Sequence, residues 1–249
     1  MEPAVFRLTV LEAKGCYSQT GIIRKHEQAR SEAMISQYLY LHGFASSPQS
    51  RKAQDLSDRF AQLHLPLLIP DLNQSDFTHL TLTRQLQQVE AALPPAPTPV
   101  TLIGSSFGGL TAAWLGQTQP QVERLILLAP AFGFLSHWLP RLGFEQAQQW
   151  KTEGFLPVYH YGAEKMLPIS YAFAEDAAQY RESEIRRPVP TLIIHGTQDE
   201  VIPVQSSIEF AKERPWVTLI ELESDHGLLD RSEEIWHAIC EFCALSVGT

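Results

Sequence analysis

Thr101-Leu102-Ile103-Gly104-Ser105-Ser106-Phe107-Gly108-Gly109 decides the reading of this chain. An apolar run ends in a glycine-rich turn, and a helical pattern from Gly108 to Thr118 follows at once. Gly104-x-Ser106-x-Gly108 matches G-x-S-x-G where that pattern has mechanical meaning, at a strand turning directly into a helix. A serine in so sharp a turn needs strained backbone angles, and small neighbours let the chain bend. The turn projects Oγ of Ser106 above the C-terminal edge of a sheet. The helix that starts there aims its free N–H groups at the same place, which favours a developing oxyanion. Ser105 is the rival hydroxyl but fills an x position. Alone, the motif leaves an ordinary glycine-rich turn open as the alternative.

The flanking sequence supplies the context. Upstream, Tyr38 to Leu41 is a strand candidate. Ala53 to Leu63 reads as a helix with Leu56, Phe60 and Leu63 on one face, and Leu67 to Ile69 as a short strand stopped by Pro70. Leu82 to Leu93 is a second amphipathic helix, Pro94 to Pro99 a loop, and Val100 to Ile103 the strand that enters the turn. Downstream, strands are predicted at Leu125 to Leu128, Thr191 to Ile194 and Val217 to Leu222, with helices at Val204 to Glu213 and Glu233 to Phe242. Such alternation builds a mostly parallel central sheet with helices on both faces, an α/β fold.

Two segments break the alternation. Residues 1 to 36 form an N-terminal extension ahead of a domain spanning 37 to 249. Arg24, Lys25, His26, Glu27, Arg30 and Glu32 resist burial there, so residues 1 to 33 are expected to be dispensable, as an appended arm or a start assigned too far upstream. Residues 131 to 187 hold 11 aromatics where the average of 10% gives about 6 in that length, and read as a lid insert. Within it, Phe155 to Phe173 reads as two extended runs around Gly162-Ala163-Glu164, a hairpin rather than a helical cap. Tyr159 and Tyr161 on that hairpin are the predicted substrate-binding side chains, over a shallow pocket that suits short acyl chains.

Composition narrows the function class. With 249 residues, 44% hydrophobic and 19% charged, the chain is long and apolar enough for a full core. The formal charge of −9 disfavours a nucleic-acid partner, whose binding is driven by clustered Lys and Arg. The three cysteines imply no disulfide framework, and Cys240-x-x-Cys243 lacks the second half of a zinc site. No apolar run approaches membrane-spanning length, and the expectation is a soluble, cytoplasmic protein with no metal. Nothing in the sequence sets the oligomeric state.

A serine hydroxyl is a weak nucleophile and needs a base oriented by a carboxylate. In hydrolases built on this turn the chain order is Ser, then Asp or Glu, then His. Asp199 lies in the loop after the strand ending His195-Gly196, and His226 in Ser224-Asp225-His226-Gly227 after the next strand. Ser106, Asp199 and His226 thus each follow a different strand, at the edge where open α/β sheets place their sites. Asp225 adjoins His226 and is badly placed to reach the far ring nitrogen. Glu200 is a weaker rival orienter, Asp71 precedes the serine and reads as a loop residue, and His195 and His237 read as structural. His42, in Leu41-His42-Gly43-Phe44, shapes a loop whose N–H can complete an oxyanion hole; the donors expected are the amides of Phe44 and Phe107.

These residues carry a resemblance. Tyr40-Leu41-His42-Gly43-Phe44-Ala45-Ser46-Ser47-Pro48 with Ser50, Lys52 and Ala53, then Gly104 to Gly109, His195-Gly196-Thr197-Gln198-Asp199-Glu200-Val201 and Asp225-His226, resemble the α/β-hydrolase superfamily. More narrowly they are similar to the bacterial YqiA-like esterases. The resemblance covers about residues 36 to 245 and implies a Ser106-Asp199-His226 triad, hydrolysis of a small carboxylic ester or thioester, and no cofactor. Such proteins usually begin almost at the first strand, so the N-terminal segment is a departure. Another reaction on the same triad, C–C hydrolysis or acyl transfer, is the alternative within enzymes. A ligand-binding sensor on this fold with little turnover is the alternative outside them.

Overall fold

A computed structural model describes residues 36–246. Apart from Ser36, the predicted N-terminal extension lies outside the described residues. Six strands form one parallel sheet in the order β2-β1-β3-β4-β7-β8, comprising β1 Gln37–Leu41, β2 Leu67–Leu68, β3 Val100–Ser105, β4 Val122–Leu128, β7 Thr191–Gly196 and β8 Val217–Leu222. Every pairing is parallel, with Leu41 opposite Gly104, Ser105 opposite Leu128 and Gly196 opposite Leu222. The strand ends bearing the predicted site residues therefore share one edge.

The pleat sorts β1 into two cores. Leu39 and Leu41 pack with helices α2 (Leu82–Ala92) and α3 (Phe107–Thr118), while Tyr38 and Tyr40 pack with α1 (Arg51–Gln62) and α8 (Ser232–Cys243). In β7, Ile193 joins the first core and Leu192 and Ile194 the second, so the sheet is covered on both faces. Phe210 of α7 (Val204–Lys212) adds to the first core. α3 is buried along nearly its whole length, from Phe107 to Gly116, which is why its sequence carries no one-sided apolar stripe.

The insert is more helical than its sequence suggests. The predicted hairpin is present, with β5 (Phe155–His160) antiparallel to β6 (Lys165–Ser170), but α4 (Phe134–Leu142) and α5 (Phe144–Glu153) precede it and α6 (Ala172–Ala177) follows. The reading of a hairpin in place of a helical cap is corrected to a hairpin together with helices. Phe134, Leu135, Trp138, Leu139 and Leu142 make a helical stripe packed on the first core, and Pro140 sits in the last turn of α4, where it ends the helix rather than preventing it. Trp150 of α5 is fully buried and donates from Nε1 to the Ile169 carbonyl at 3.0 Å, locking helix to hairpin. The hairpin loop is anchored to the sheet edge: Tyr161 N donates to Ala45 O at 2.7 Å.

Candidate functional site

Ser106 links β3 to α3 with φ 54° and ψ −118°, a left-handed conformation that a side-chain-bearing residue adopts only at a cost. The surrounding backbone holds it there. Ser106 N donates to Leu128 O at 2.9 Å, and Ser106 O accepts from Ala131 N at 3.0 Å and Leu110 N at 3.1 Å. The two motif glycines are sterically compelled. A Cβ at Gly104 would lie 2.3 Å from Gly108 O, and one at Gly108 would lie 2.1 Å from Leu41 O. The helix start packs directly on the end of β1, which sets how sharply the serine is turned outward.

The predicted residues meet. His226 Nε2 lies 3.0 Å from Ser106 Oγ, and His226 Nδ1 lies 2.7 Å from Asp199 Oδ2. A carboxylate only accepts, so Nδ1 carries the proton and Nε2 is left to accept from the serine hydroxyl. The Asp199 side chain is fully buried, and the His226 side chain is 24% exposed. Asp199 Oδ1 accepts from the amides of Val201 and Ile202, each at 2.8 Å. Burial alone would raise the pKa of this carboxyl. Hydrogen bonds from His195 and His226, the charge of His226 and the Ile202 amide outweigh it and hold the group well below the usual carboxylate range.

His195 does more than end a strand. It is fully buried, and its Nε2 lies 3.0 Å from both Asp199 Oδ2 and the Ile202 carbonyl, while Nδ1 lies 2.7 Å from Ser207 Oγ. A carbonyl needs a donor, so Nε2 carries the proton and Nδ1 accepts from Ser207. Two histidines therefore clamp one carboxylate oxygen from opposite sides. His195 ends β7 and Asp199 lies in the loop that follows, so no periodic signal links them and the sequence alone reads His195 as structural.

The rival residues are occupied elsewhere. Asp225 Oδ1 accepts from Gly227 N at 2.8 Å and Leu228 N at 3.1 Å, closing its own turn. Asp71 Oδ1 accepts from Asn73 N at 3.0 Å, as a loop residue does. His42 is buried, and its Nε2 accepts from Leu72 N at 3.0 Å, so Nδ1 holds the proton and donates to Gly43 O at 3.0 Å. Burial keeps its pKa low, and neither nitrogen is free to act as a base. His237 is exposed on α8, and Glu200 is exposed beside the clamp.

His42 shapes the loop that faces the serine. A Cβ on Gly43 would lie 3.3 Å from Ser106 Cβ and 3.9 Å from its Oγ, so this loop closes over the serine at near-contact distance. Ala45, with φ 54°, continues the bend. The amides of Phe44 and Phe107 donate to no protein acceptor among the described residues. The Phe44 and Phe107 rings lie 6.3 Å apart at the heart of an aromatic cluster with Phe134, Trp138 and Phe173 of the insert, with centroid separations from Phe44 of 6.1, 5.6 and 5.1 Å. Tyr159 and Tyr161 sit apart from that cluster. Their rings pack edge to face on each other at 5.2 Å and are 47% and 72% exposed.

Among the described residues no His, Cys, Asp and Glu cluster suits a metal ion, and no helix is long and apolar enough to cross a membrane. Cys240 and Cys243 are free thiols on α8.

Comparison with known proteins agrees with this architecture. Est1E from Butyrivibrio proteoclasticus with ferulic acid bound superposes with a TM-score of 0.69 at 21% identity, over 84% of this chain and 88% of that one. A 2-hydroxymuconate semialdehyde hydrolase of Pseudomonas sp. (strain CF600) is 27% identical over 149 residues, 49% of this chain and 52% of the relative. The mitochondrial palmitoyl-protein thioesterase ABHD10 of Bos taurus is 26% identical over 143 residues, 54% of this chain and 46% of the relative. The chain thus spans about half the length of the curated relatives it matches. The model of the uncharacterised protein family UPF0227 matches residues 37–243, from the first strand to the end of the last helix, and the chain, an α/β hydrolase in fold, belongs to that family.

Proposed function

We propose that this protein is a serine hydrolase of small carboxylic esters or thioesters. The carrying observation is the hydrogen-bonded series from Ser106 Oγ through His226 to the buried Asp199, at 3.0 and 2.7 Å, drawn from three separate loops. Ser106 Oγ attacks the substrate carbonyl carbon as His226 Nε2 takes its proton. The Phe44 and Phe107 amides receive the oxyanion. Asp199 holds His226 in the tautomer that accepts at Nε2 and stabilises the imidazolium that forms. His226 then passes the proton to the departing alcohol or thiol, leaving Ser106 acylated. Water, deprotonated by the same nitrogen, releases the acid and restores the serine.

The name of one relative, a palmitoyl-protein thioesterase, favours acyl chemistry of this kind. In this reading Phe44 and the insert aromatics Phe134 and Trp138 form the apolar wall beside the oxyanion donors, and the Tyr159–Tyr161 hairpin is the outer rim of the lid. The protein works on small molecules in the cytoplasm. The test is steady-state hydrolysis of p-nitrophenyl esters and acyl-CoA thioesters from C2 to C12, with Ser106→Ala as the blank. Turnover that climbs and then falls with chain length supports the reading. Stoichiometric binding without turnover supports a sensor, and turnover undiminished in Ser106→Ala refutes the mechanism.

A further inference from the structure

Beneath the nucleophile turn lies a charged group that the proposed mechanism does not use. Lys52, in the first turn of α1, reaches inward to place Nζ 2.8 Å from Oγ of Ser105, the residue immediately before Ser106. Ser105 is buried at the end of β3, and Tyr40 of β1 is buried as well. The stem of Lys52, with Arg51 and Asp55, lines a cavity of roughly 100 Å³ bounded on the far side by Leu128 and by Leu228 and Leu229, which follow His226.

An ammonium in such a place is costly unless it has a purpose or a partner. It has no carboxylate hydrogen-bonded to it: its one side-chain hydrogen bond among the described residues goes to a neutral hydroxyl. We propose that Lys52 is a positioning residue of the proposed hydrolase: it fixes the turn through Ser105 and supplies a positive charge beneath the place where Ser106 and the substrate carbonyl become anionic. The inference rests on the serine-hydrolase reading. Lys52 Nζ is hydrogen-bonded to Ser105 and to none of Ser106, Asp199 and His226, so Lys52 acts through field and geometry and touches no reacting atom.

The charge on Lys52 is adjustable. Burial pushes its pKa down to about 8, and the Asp199 and Asp225 carboxylates only partly oppose this. The other charged or titratable groups facing it are Arg51 and Asp55 of its own helix and Tyr40, whose phenol burial keeps protonated. A neutral amine can still hydrogen-bond to Ser105, so above pH 8 the geometry persists and the charge leaves. A unit charge acting over roughly 10 Å at an effective dielectric near 20 changes a rate by about tenfold. kcat/KM is therefore expected to fall along an alkaline limb centred near pH 8.

The experiment measures kcat/KM for p-nitrophenyl acetate from pH 6 to 10, corrected with Ser106→Ala, and in parallel the pH-dependent rate of fluorophosphonate labelling at Ser106. Lys52→Met is expected to lose about tenfold at pH 7 and to lose the alkaline limb, with a melting temperature equal to or above that of the parent, because a buried charge has gone. Ser105→Ala is expected to keep the limb but move it to lower pH, since an ammonium stripped of its partner gives up its proton more readily. Lys52→Met matching the parent at pH 7, or losing activity while keeping the limb, overturns the proposal. If Lys52→Met does not fold, an unmoved limb in Ser105→Ala overturns it. Absence of Ser106-dependent turnover and labelling in the parent chain defeats the hydrolase reading first, and the role of Lys52 with it.

Discussion

Asp199→Asn separates the chemistry of the site from its architecture, because the structure specifies what each side of the new amide meets. Its oxygen keeps the Val201 and Ile202 amides, both donors at 2.8 Å. Its nitrogen, which only donates, then faces His226 Nδ1 and His195 Nε2. At His226 the amide donates to Nδ1, the ring proton moves to Nε2, and the base can no longer accept from Ser106. In another serine hydrolase that change of tautomer costs kcat about 10⁴-fold, or roughly 5 kcal/mol. At His195 the outcome is structural. Its Nε2 proton is held by the Ile202 carbonyl, so two donors confront each other in a fully buried place. A buried donor without a partner costs about 1–3 kcal/mol, and at roughly 2–4 °C per kcal/mol for a domain this size the melting temperature should fall by about 2–12 °C. The assays are p-nitrophenyl butyrate turnover and thermal unfolding followed by circular dichroism. Acid stability should change as well. The folded pKa of Asp199 lies below its unfolded value near ~3.9, so the unfolded state binds the proton first and the parent loses this contribution as pH falls below about 4; Asp199→Asn lacks that slope. Asp199→Asn keeping kcat within tenfold while Asp225→Asn loses more would make Asp225 the orienter.

Two further outcomes are expected. Gly108→Ala forces a Cβ to within 2.1 Å of the Leu41 carbonyl, backbone that cannot retreat, so it should destabilise the protein by more than about 3 kcal/mol and abolish turnover; a parent-like unfolding curve would show that the turn can relax. Tyr159→Ala and Tyr161→Ala should shift the acyl-chain optimum without changing Ser106 labelling, and since each buried methylene is worth about 0.8 kcal/mol a shift of one or two carbons is readable; an unchanged profile in both removes the hairpin from the substrate path.

The parts of this fold that were legible share a physical cause. β1, β3 and β7 are short apolar runs next to amphipathic helices or turn residues, and burial on both faces demands that composition. The juxtaposition of Ser106, Asp199 and His226 was legible because parallel strands bring their C-terminal ends to one edge, so chain order and strand context stand in for distance. α3 was legible as a helix from Gly108 to Thr118 although it carries no one-sided apolar stripe, since it is buried on nearly all sides. The helices of the insert were missed because Gly143 divides them into pieces of 9 and 10 residues and Pro140 sits within the first, so the periodic signal is too short to outweigh the breakers. His195 and Lys52 both stand in stretches that carry the family resemblance, but nothing local showed what either side chain touches. His195, at the end of β7, touches Asp199 in the loop that follows, and Lys52 touches Ser105 across 53 residues of chain, a contact that only the packed sheet edge brings about.

If Ser106 carries the activated hydroxyl, a fluorophosphonate will label it, and intact-mass and peptide mass spectrometry locate the adduct. One adduct per chain is expected, on the peptide containing Ser106, absent in Ser106→Ala and retained in Ser105→Ala. An adduct that survives in Ser106→Ala and disappears in Ser105→Ala, or a parent chain that takes no label while fully folded, would contradict it.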